Sequence, residues 1–286
     1  LSTMSVCSIE EVAIHTKKPF WFQLYVMKDK KFMENLIERA DDAGCNALIL
    51  TLDLQILGQR HKDLRNDLST PPKFTPKHIF QMMTRPGWCL KMLKTKNKSF
   101  GNIVGHVDGI SDLGSLVSWT SEQFDPKLNW DEVDWIRKKW KKKLIIKGIL
   151  DSEDALMAAK TGADAIIVSN HGGRQLDGAP STISVLPEII DTVENKIEVH
   201  IDGGIRSGQD VVKAICLGAK ATYIGRAFLY GLGALGKIGV TKSLEIIREE
   251  LDKTMALCGR RDINDLETLS SSLTEIKPDI VHIRSR

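Results

Sequence analysis

What this 286-residue chain lacks narrows its possibilities first. No run of about 18 or more uncharged apolar residues occurs, so the sequence holds no membrane-spanning helix. Its five cysteines (Cys7, Cys45, Cys89, Cys216, Cys258) are odd in number and form no CxxC pair. That spacing argues against a disulfide framework or a zinc site, leaves no metal centre to expect, and fits a reducing compartment. No GxGxxG follows a first strand-like run, which counts against a dinucleotide-binding, doubly wound sheet. The chain opens on Leu1 rather than Met, so any targeting segment would lie upstream. What remains is ordinary for a soluble globular protein: 42% hydrophobic, 27% charged and a formal net charge of +3.

Short β-rich runs recur, each followed by an amphipathic stretch. They are FWFQLYV (20–26), ALILTLD (47–53), LIIKGI (144–149), AIIVS (165–169), EVHID (198–202) and ATYIG (221–225). The small residue–Gly–Ala endings between them read as helix stops followed by strand entry. Strands alternating with helices imply parallel pairing. Six such units are present, whereas a (β/α)8 TIM barrel needs eight. LSTMS reads as the tail of a further strand, so the expected fold is one TIM-barrel domain over 1–286 lacking its first one to two βα units. An open doubly wound sheet is the alternative.

One connection breaks the rhythm. A gap of 90 residues (54–143) separates Asp53 from Leu144, and the reading places a long inserted loop at 61–128. Residues 73–107 contain no Asp or Glu, while Lys73, Lys77, Arg85, Lys91, Lys94, Lys96 and Lys98 are interleaved with Phe74, Ile79, Phe80, Met82, Met83, Trp88, Leu90, Met92 and Leu93. A basic stretch carrying Trp, Phe and Met suits an anionic membrane surface, reached through 73–99. A solvated loop is the competing reading. Nucleic-acid binding is not expected, because no recognised module accompanies the charge. The second basic run, RKKWKKK (137–143), reads as the solvated end of a helix that Asn129 caps, with Glu132 three residues on.

VSNHGGRQLDG (168–178) sets a titratable ring and a fixed cation beside two glycines at a strand end. In isolation it could be a polar surface turn. The other strand ends make that insufficient: Ser2 and Thr3, Gln23 and Tyr25, Thr51 and Asp53, Lys147, His171 with Arg174, Asp202 with Arg206, and Gly225 with Arg226. In a parallel barrel, functional groups gather where strands end. A lysine inside the apolar LIIKGI is costly unless something negative faces it. IDGGIRSG and IGRAF each give a strand-end glycine, then an arginine, then a helix. Those features build an anion site at the position usual for phosphate in such barrels.

These motifs, with WFQLYV and TLD…GQRHKDLRN, resemble the FMN-dependent α-hydroxy acid oxidases and dehydrogenases. The resemblance runs from Leu1 to about Asp265. The middle segment, TRPGW…GNIVGHVDG…FDPKLNWDEVDWIRKKW, is most similar to the bacterial quinone-linked L-lactate dehydrogenases. It implies FMN as cofactor and L-lactate as substrate. His171 would be the base, acting on the carbinol carbon or the hydroxyl, and Asp53 would stabilise its protonated form. Arg174, assisted by Arg60, would hold the substrate carboxylate. Tyr25 would bond the substrate oxygen, and Lys147 would stabilise the reduced flavin. Ser2, Gln23 and Thr51 would bind the isoalloxazine or ribityl oxygens; Asp202, Gly203, Gly204, Arg206, Gly225 and Arg226 would hold the ribityl chain and phosphate. Bland readings exist for His171 as a turn cap, Tyr25 as core and Arg60 as a surface charge, and Met82, Met83 and Met92 read as packing.

Two departures from that family pattern stand out. The first two units are missing, with a tyrosine that members place on the substrate carboxylate, and Met4 stands where some members carry Trp over the substrate. Three functions are therefore carried forward. The first is a peripheral L-lactate dehydrogenase on the cytoplasmic side of the inner membrane, passing electrons to quinone or another acceptor. The second is a soluble cytoplasmic oxidase returning electrons to dioxygen and making hydrogen peroxide. The third is a non-catalytic flavin-binding remnant. A homo-oligomer is expected by analogy alone.

Overall fold

The computed structural model describes residues 1–56, 58–66, 75–107, 119 and 122–269. The remainder of the 61–128 insertion, including Lys73 and Phe74, lies outside the described residues. Two compact units divide the chain: residues 1–147 with Arg174–Leu176, and Gly148–Gly173 with residues 177–286.

In the first unit, strands β1 (Trp21–Tyr25), β2 (Ala47–Thr51) and β3, which begins at Lys143 and runs to Ile149, pair in parallel. Tyr25 aligns with Thr51 and Thr51 with Lys147. Helix α1 (Ile9–His15) carries a capping box in which Ser8 and Glu11 satisfy each other's backbone donors. Helix α2 (Lys30–Asp42) starts at Asp29, whose carboxylate accepts from Phe32 N. It buries Phe32, Met33, Leu36, Ile37 and Ala40, the apolar stripe its period predicts. The LSTMS tail behaves as the strand end expected of it: Ser2 bridges Gln23 in parallel, and Gln23 N donates to Leu1 O at 2.7 Å.

The insertion is partly helical: α3 (His61–Arg65), α4 (Pro76–Met83) and α5 (Pro86–Lys94). Thr75 caps α4 and each of α4 and α5 has proline in its first turn, where the missing N–H is harmless. Helix α6 (Trp130–Lys139) follows, with Asn129 accepting from Asp131 N and Glu132 N. Glu132 does not complete a capping box as its spacing suggested; its carboxylate pairs with Lys30 at 3.0 Å.

The second unit repeats β, then α. Helix α7 (Ser152–Lys160), β4 (Ala165–Val168), α8 (Thr182–Val193), β5 (Glu198–Ile201), α9 (Gly208–Cys216), β6 (Ala221–Thr222), α10 (Arg226–Leu235) and α11 (Lys237–Leu257) succeed one another. β4 pairs with β5 and β5 with β6, both in parallel. Helices α10 and α11 meet at Gly231 and Gly239, where a Cβ on either would strike the other's carbonyl. The sheet order is β1-β2-β3-β4-β5-β6, each strand beside its neighbour in sequence, as βαβ connection requires. All five cysteines are free thiols, and Cys45 and Cys216 are buried.

Every strand ends one to three residues earlier than its apolar run, apart from β3, which begins one residue earlier and ends as expected. Asp53, Ser169, Asp202 and Gly225 thus fall just past the ladder, in the loops that carry the site.

One buried polar residue ties the first unit together across the sequence. Asn102 is 0% exposed; its Oδ1 accepts from Ile9 N at 2.9 Å, and its Nδ2 donates to Ser2 O and Thr3 O at 3.2 and 3.3 Å. Its own carbonyl accepts from Arg39. Beside it, Gly101 lets two backbones touch, since a Cβ there would meet Ser8 N at 2.8 Å and Val6 O at 2.9 Å. Asn102→Ala strands the buried Ile9 N donor and takes a partner from Thr3 O, while Ser2 O keeps its bond from Ser5 N, so we expect a loss of about 1–3 kcal/mol in urea unfolding. A loss below about 0.5 kcal/mol would show that water takes over the work of Asn102.

Candidate active site

In the first unit the strand-end row is a direct consequence of register. Side chains alternate along a strand, so Gln23 and Tyr25 share a face of β1, Thr51 occupies that level on β2, and Lys147 on β3. Gln23 Nε2 donates to Thr51 Oγ1 at 2.7 Å, and Ser2 Oγ lies 3.5 Å from Tyr25 Oη. Thr3, fully buried, braces the row from below by donating to Gln23 O at 2.8 Å and accepting from Tyr25 N at 3.3 Å. The expected flavin-contacting residues Ser2, Gln23, Thr51 and Lys147 are therefore brought together with Tyr25.

The loop after β2 carries Asp53 and Arg60, and the 174–176 segment lies against it. Gln175 Nε2 donates to Asp53 O and Ile56 O at 3.0 and 2.9 Å. Gly58 permits the contact: a Cβ there would meet Arg174 O and Gln175 O at 2.6 Å. Arg60 is half-buried, and its Nε is buried without a hydrogen-bond acceptor among the described residues. Burial first, and then Arg174 nearby, depress the Arg60 pKa; Asp63 and Tyr25 oppose them. Two guanidiniums in electrostatic reach, one with a buried Nε that has no acceptor among the described residues, are suited to an anionic partner.

In the second unit, β4 ends at Val168 and the chain turns at once. Ser169, fully buried, accepts from His171 N at 3.1 Å; Asn170 Oδ1 accepts from Gly172 N at 3.0 Å, and Asn170 O from Gly173 N at 2.9 Å. His171 is held at φ 54°, a left-handed conformation uncommon for a residue with a side chain, and both glycines after it also have positive φ. Such strain persists only where the surroundings over-determine it, and it clusters at functional sites. Arg226 contributes to that constraint by donating from Nη2 to Gly172 O at 2.9 Å.

The glycines after β5 and β6 form a cradle. Gly203 has φ 85°, and a Cβ there would meet Asn170 Oδ1 at 2.9 Å; its carbonyl accepts from Thr182 Oγ1. Gly204 and Gly225 have nothing within 4 Å of the position a Cβ would take. Helix α9 is closed by a Ser207–Asp210 capping box, whereas α10 begins at Gly225 with no side-chain cap. The first-turn N–H groups of α10 are therefore available to an anion, with Gly204 open and Arg206 exposed in the same unit. These donors fit the phosphate of FMN. Arg226 differs from the expectation in one respect, since part of its guanidinium already holds the His171 turn.

His171 and Asp53 belong to different units, as do His171 and Arg174 although only two residues separate them in the chain. Four contributors received no role in the sequence reading: Thr3, Asn170, Gln175 and Thr182. Asn170 and Gln175 sit inside SNHGGRQLD, where an amide flanking a glycine turn is a usable signal for a backbone-binding side chain.

The helices α4 and α5 carry a different kind of surface. Ile79, Phe80, Met83, Trp88, Leu90, Met92 and Leu93 are exposed, Phe80 at 67% and Leu93 at 73%. His78, Gln81, Met82, Arg85 and Trp88 line an open cleft there. No ion pair among the described residues engages Lys77, Arg85, Lys91, Lys94, Lys96 or Lys98. No described helix is long and apolar enough to cross a membrane.

Comparison with known proteins agrees with this geometry. The sequence profile described as FMN-dependent dehydrogenase matches residues 1–272. An L-lactate dehydrogenase of Haemophilus influenzae is 45% identical over 268 residues, 93% of this chain and 70% of that protein. An L-lactate dehydrogenase of Pseudomonas aeruginosa is 45% identical over 267 residues, with the same coverage. The crystal structure of the monotopic membrane protein (S)-mandelate dehydrogenase superposes with a TM-score of 0.87 at 37% identity, covering 93% of this chain and 70% of that one. A mandelate oxidase structure gives a TM-score of 0.75 at 36% identity, over 93% of this chain and 67% of its own. The chain belongs to the FMN-dependent dehydrogenase family.

Proposed function

We propose that this protein oxidises L-lactate to pyruvate as an FMN-dependent dehydrogenase that works at a membrane surface and hands its electrons to a quinone. The observation that carries the substrate class is the Arg60–Arg174 pair, with the buried unspent Nε of Arg60 beside Tyr25. A 2-hydroxy acid supplies both things that arrangement asks for, a planar carboxylate for the arginines and a neighbouring hydroxyl for Tyr25. Bound FMN supplies the two-electron acceptor. The 45% identity to proteins named L-lactate dehydrogenase favours lactate within the class.

Each residue's task follows from its chemistry. Arg174 and Arg60 bind and orient the carboxylate. Tyr25 Oη hydrogen-bonds the substrate oxygen as it becomes a carbonyl. His171 removes a substrate proton onto an imidazole nitrogen, and the strained turn fixes where that ring stands. The family resemblance gives Asp53 the part of counter-charge to the base, and its backbone is fixed by Gln175. Lys147 places a cation where the flavin ring gains negative charge. Gly204, Gly225 and the uncapped first turn of α10 hold the phosphate, with Arg206 beside them.

The exposed apolar and cationic side chains of α4 and α5 favour a membrane-linked acceptor over dioxygen. Apolar groups enter the headgroup boundary while unpaired lysines meet anionic lipid. The (S)-mandelate dehydrogenase relative, a monotopic membrane protein, is in keeping with that reading.

Three outcomes test these assignments. His171→Gln keeps FMN bound, while anaerobic bleaching of the flavin by L-lactate slows by about 10²- to 10⁴-fold; normal bleaching would remove His171 as the base. Arg174→Lys lowers kcat/KM for lactate by roughly 10- to 100-fold, the worth of one charge-assisted hydrogen bond, and unchanged kinetics would move the carboxylate elsewhere. Replacing Phe80, Trp88 and Leu93 together by Ser weakens co-sedimentation with anionic vesicles by 100-fold or more, at about 1.5 kcal/mol or more per side chain, with flavin reduction unaltered. Undiminished vesicle binding would end the membrane assignment.

A further inference from the structure

One buried titratable group in the second unit has no part in the chemistry above. His200, on β5, is only 5% exposed. Its Nδ1 lies 2.9 Å from Tyr223 Oη and its Nε2 3.2 Å from Glu198 Oε2. A histidine beside a strand's apolar residues could serve packing alone, but both ring nitrogens here are spent on specific partners from two places in the chain.

The direction of the chain of bonds can be assigned. Glu198 Oε2 is a carboxylate oxygen and accepts. Nε2 therefore carries the proton and donates to Glu198, which leaves Nδ1 as an acceptor for the Tyr223 hydroxyl. Burial lowers the His200 pKa, with Glu198 opposing, and a neutral ring is what this tautomer requires. Burial, then Asp202 and Glu198, raise the Tyr223 pKa, so its hydroxyl keeps the proton it donates. Glu198, Tyr223 and Asp202 are the titratable groups that face this cluster.

Tyr223 sits between β6, which is only two residues long, and Gly225, where α10 begins. Two ladder residues give little hold on the loop that follows. Besides the ladder, that segment is fastened by Tyr223 N donating to Ile201 O at 2.9 Å and by the Tyr223 hydroxyl on His200. We infer that the Glu198–His200–Tyr223 chain is a positioning device that holds the β6–α10 loop so that Gly225 and the uncapped first turn of α10 present their N–H groups to the phosphate of FMN. His200 and Tyr223 act through the loop and touch no reacting atom. The inference rests on the phosphate reading of that turn.

The test uses the full chain stripped of flavin and titrated with FMN and, separately, with riboflavin, which lacks the phosphate, each followed by flavin fluorescence. Tyr223→Phe keeps the ring and removes only the hydroxyl; His200→Leu removes the acceptor. Each is expected to weaken FMN roughly five- to tenfold, the worth of one buried hydrogen bond, and to leave riboflavin binding unchanged. Equal weakening of both flavins, or no weakening of either, overturns the inference. Tyr223→Phe decides the matter alone if His200→Leu does not fold. A wild-type protein that binds riboflavin as tightly as FMN would instead sink the phosphate reading, an outcome distinct from failure of the positioning role.

Discussion

In-register parallel pairing is the constraint on which the rest of this structure depends. Tyr25, Thr51 and Lys147 stand on three strands and are separated by up to 122 residues, yet they share one level because β1, β2 and β3 pair without a slip. A one-residue shift of any strand would turn its polar end residue toward the opposite face and bring an apolar one in its place. The apolar residues below that level, such as Phe22, Leu24, Leu48, Leu50, Leu144 and Ile146, are all fully buried. Their burial therefore fixes the register, and the register delivers the polar row as a consequence. Packing and function are here one geometric fact, enforced by residues that never approach a ligand.

Where the strands end, rigidity has to come from elsewhere, and short hydrogen bonds to backbone supply it. Ser169 and Asn170 lock the turn that holds His171 in a conformation few side-chain-bearing residues adopt, and Arg226 closes it from α10. Gln175 does the same for the loop carrying Asp53. In each case a polar side chain binds main chain beside one of the proposed site residues. Glycine matters where two backbones must touch, as at Gly58, or where a ligand must approach, as at Gly204 and Gly225.

The alternation of strand and helix was legible in the sequence because apolar runs of four to seven residues separated by amphipathic stretches have few other solutions. The row of polar residues at the strand ends was legible for the same reason. What escaped depends on contacts between distant positions. Asn102 meets Ser2 and Thr3 from about 100 residues away, and nothing local marks it. The bond between His200 and Tyr223 requires knowing that β5 and β6 are neighbours in a particular register. Strand ends were overestimated for a physical reason: Asp53, Ser169 and Asp202 continue an apolar run in sequence but leave the ladder in space. The helices of the insertion were the avoidable omission, since Thr75-Pro76 and Pro86 are helix-start signals that the prevailing polarity of the segment obscured.

The distribution of charge follows from what the site must hold. Three features of the proposed reaction are anionic: a carboxylate on the substrate, a phosphate on the cofactor, and negative charge on the reduced ring. The chain meets them with different cations and dipoles. Arginine serves the carboxylate because its fork matches two oxygens, and Lys147 offers a compact charge to a diffuse one. The phosphate receives backbone N–H groups, which cannot be neutralised and cost no side-chain entropy to place. Burial first, and then the neighbouring Arg174, depress the Arg60 pKa, so holding two guanidiniums together carries a cost. The net charge of only +3 is thus compatible with strongly positive pockets, because acids such as Glu10, Glu34, Asp41 and Glu132 compensate cations on the surface of the first unit, away from the ligands.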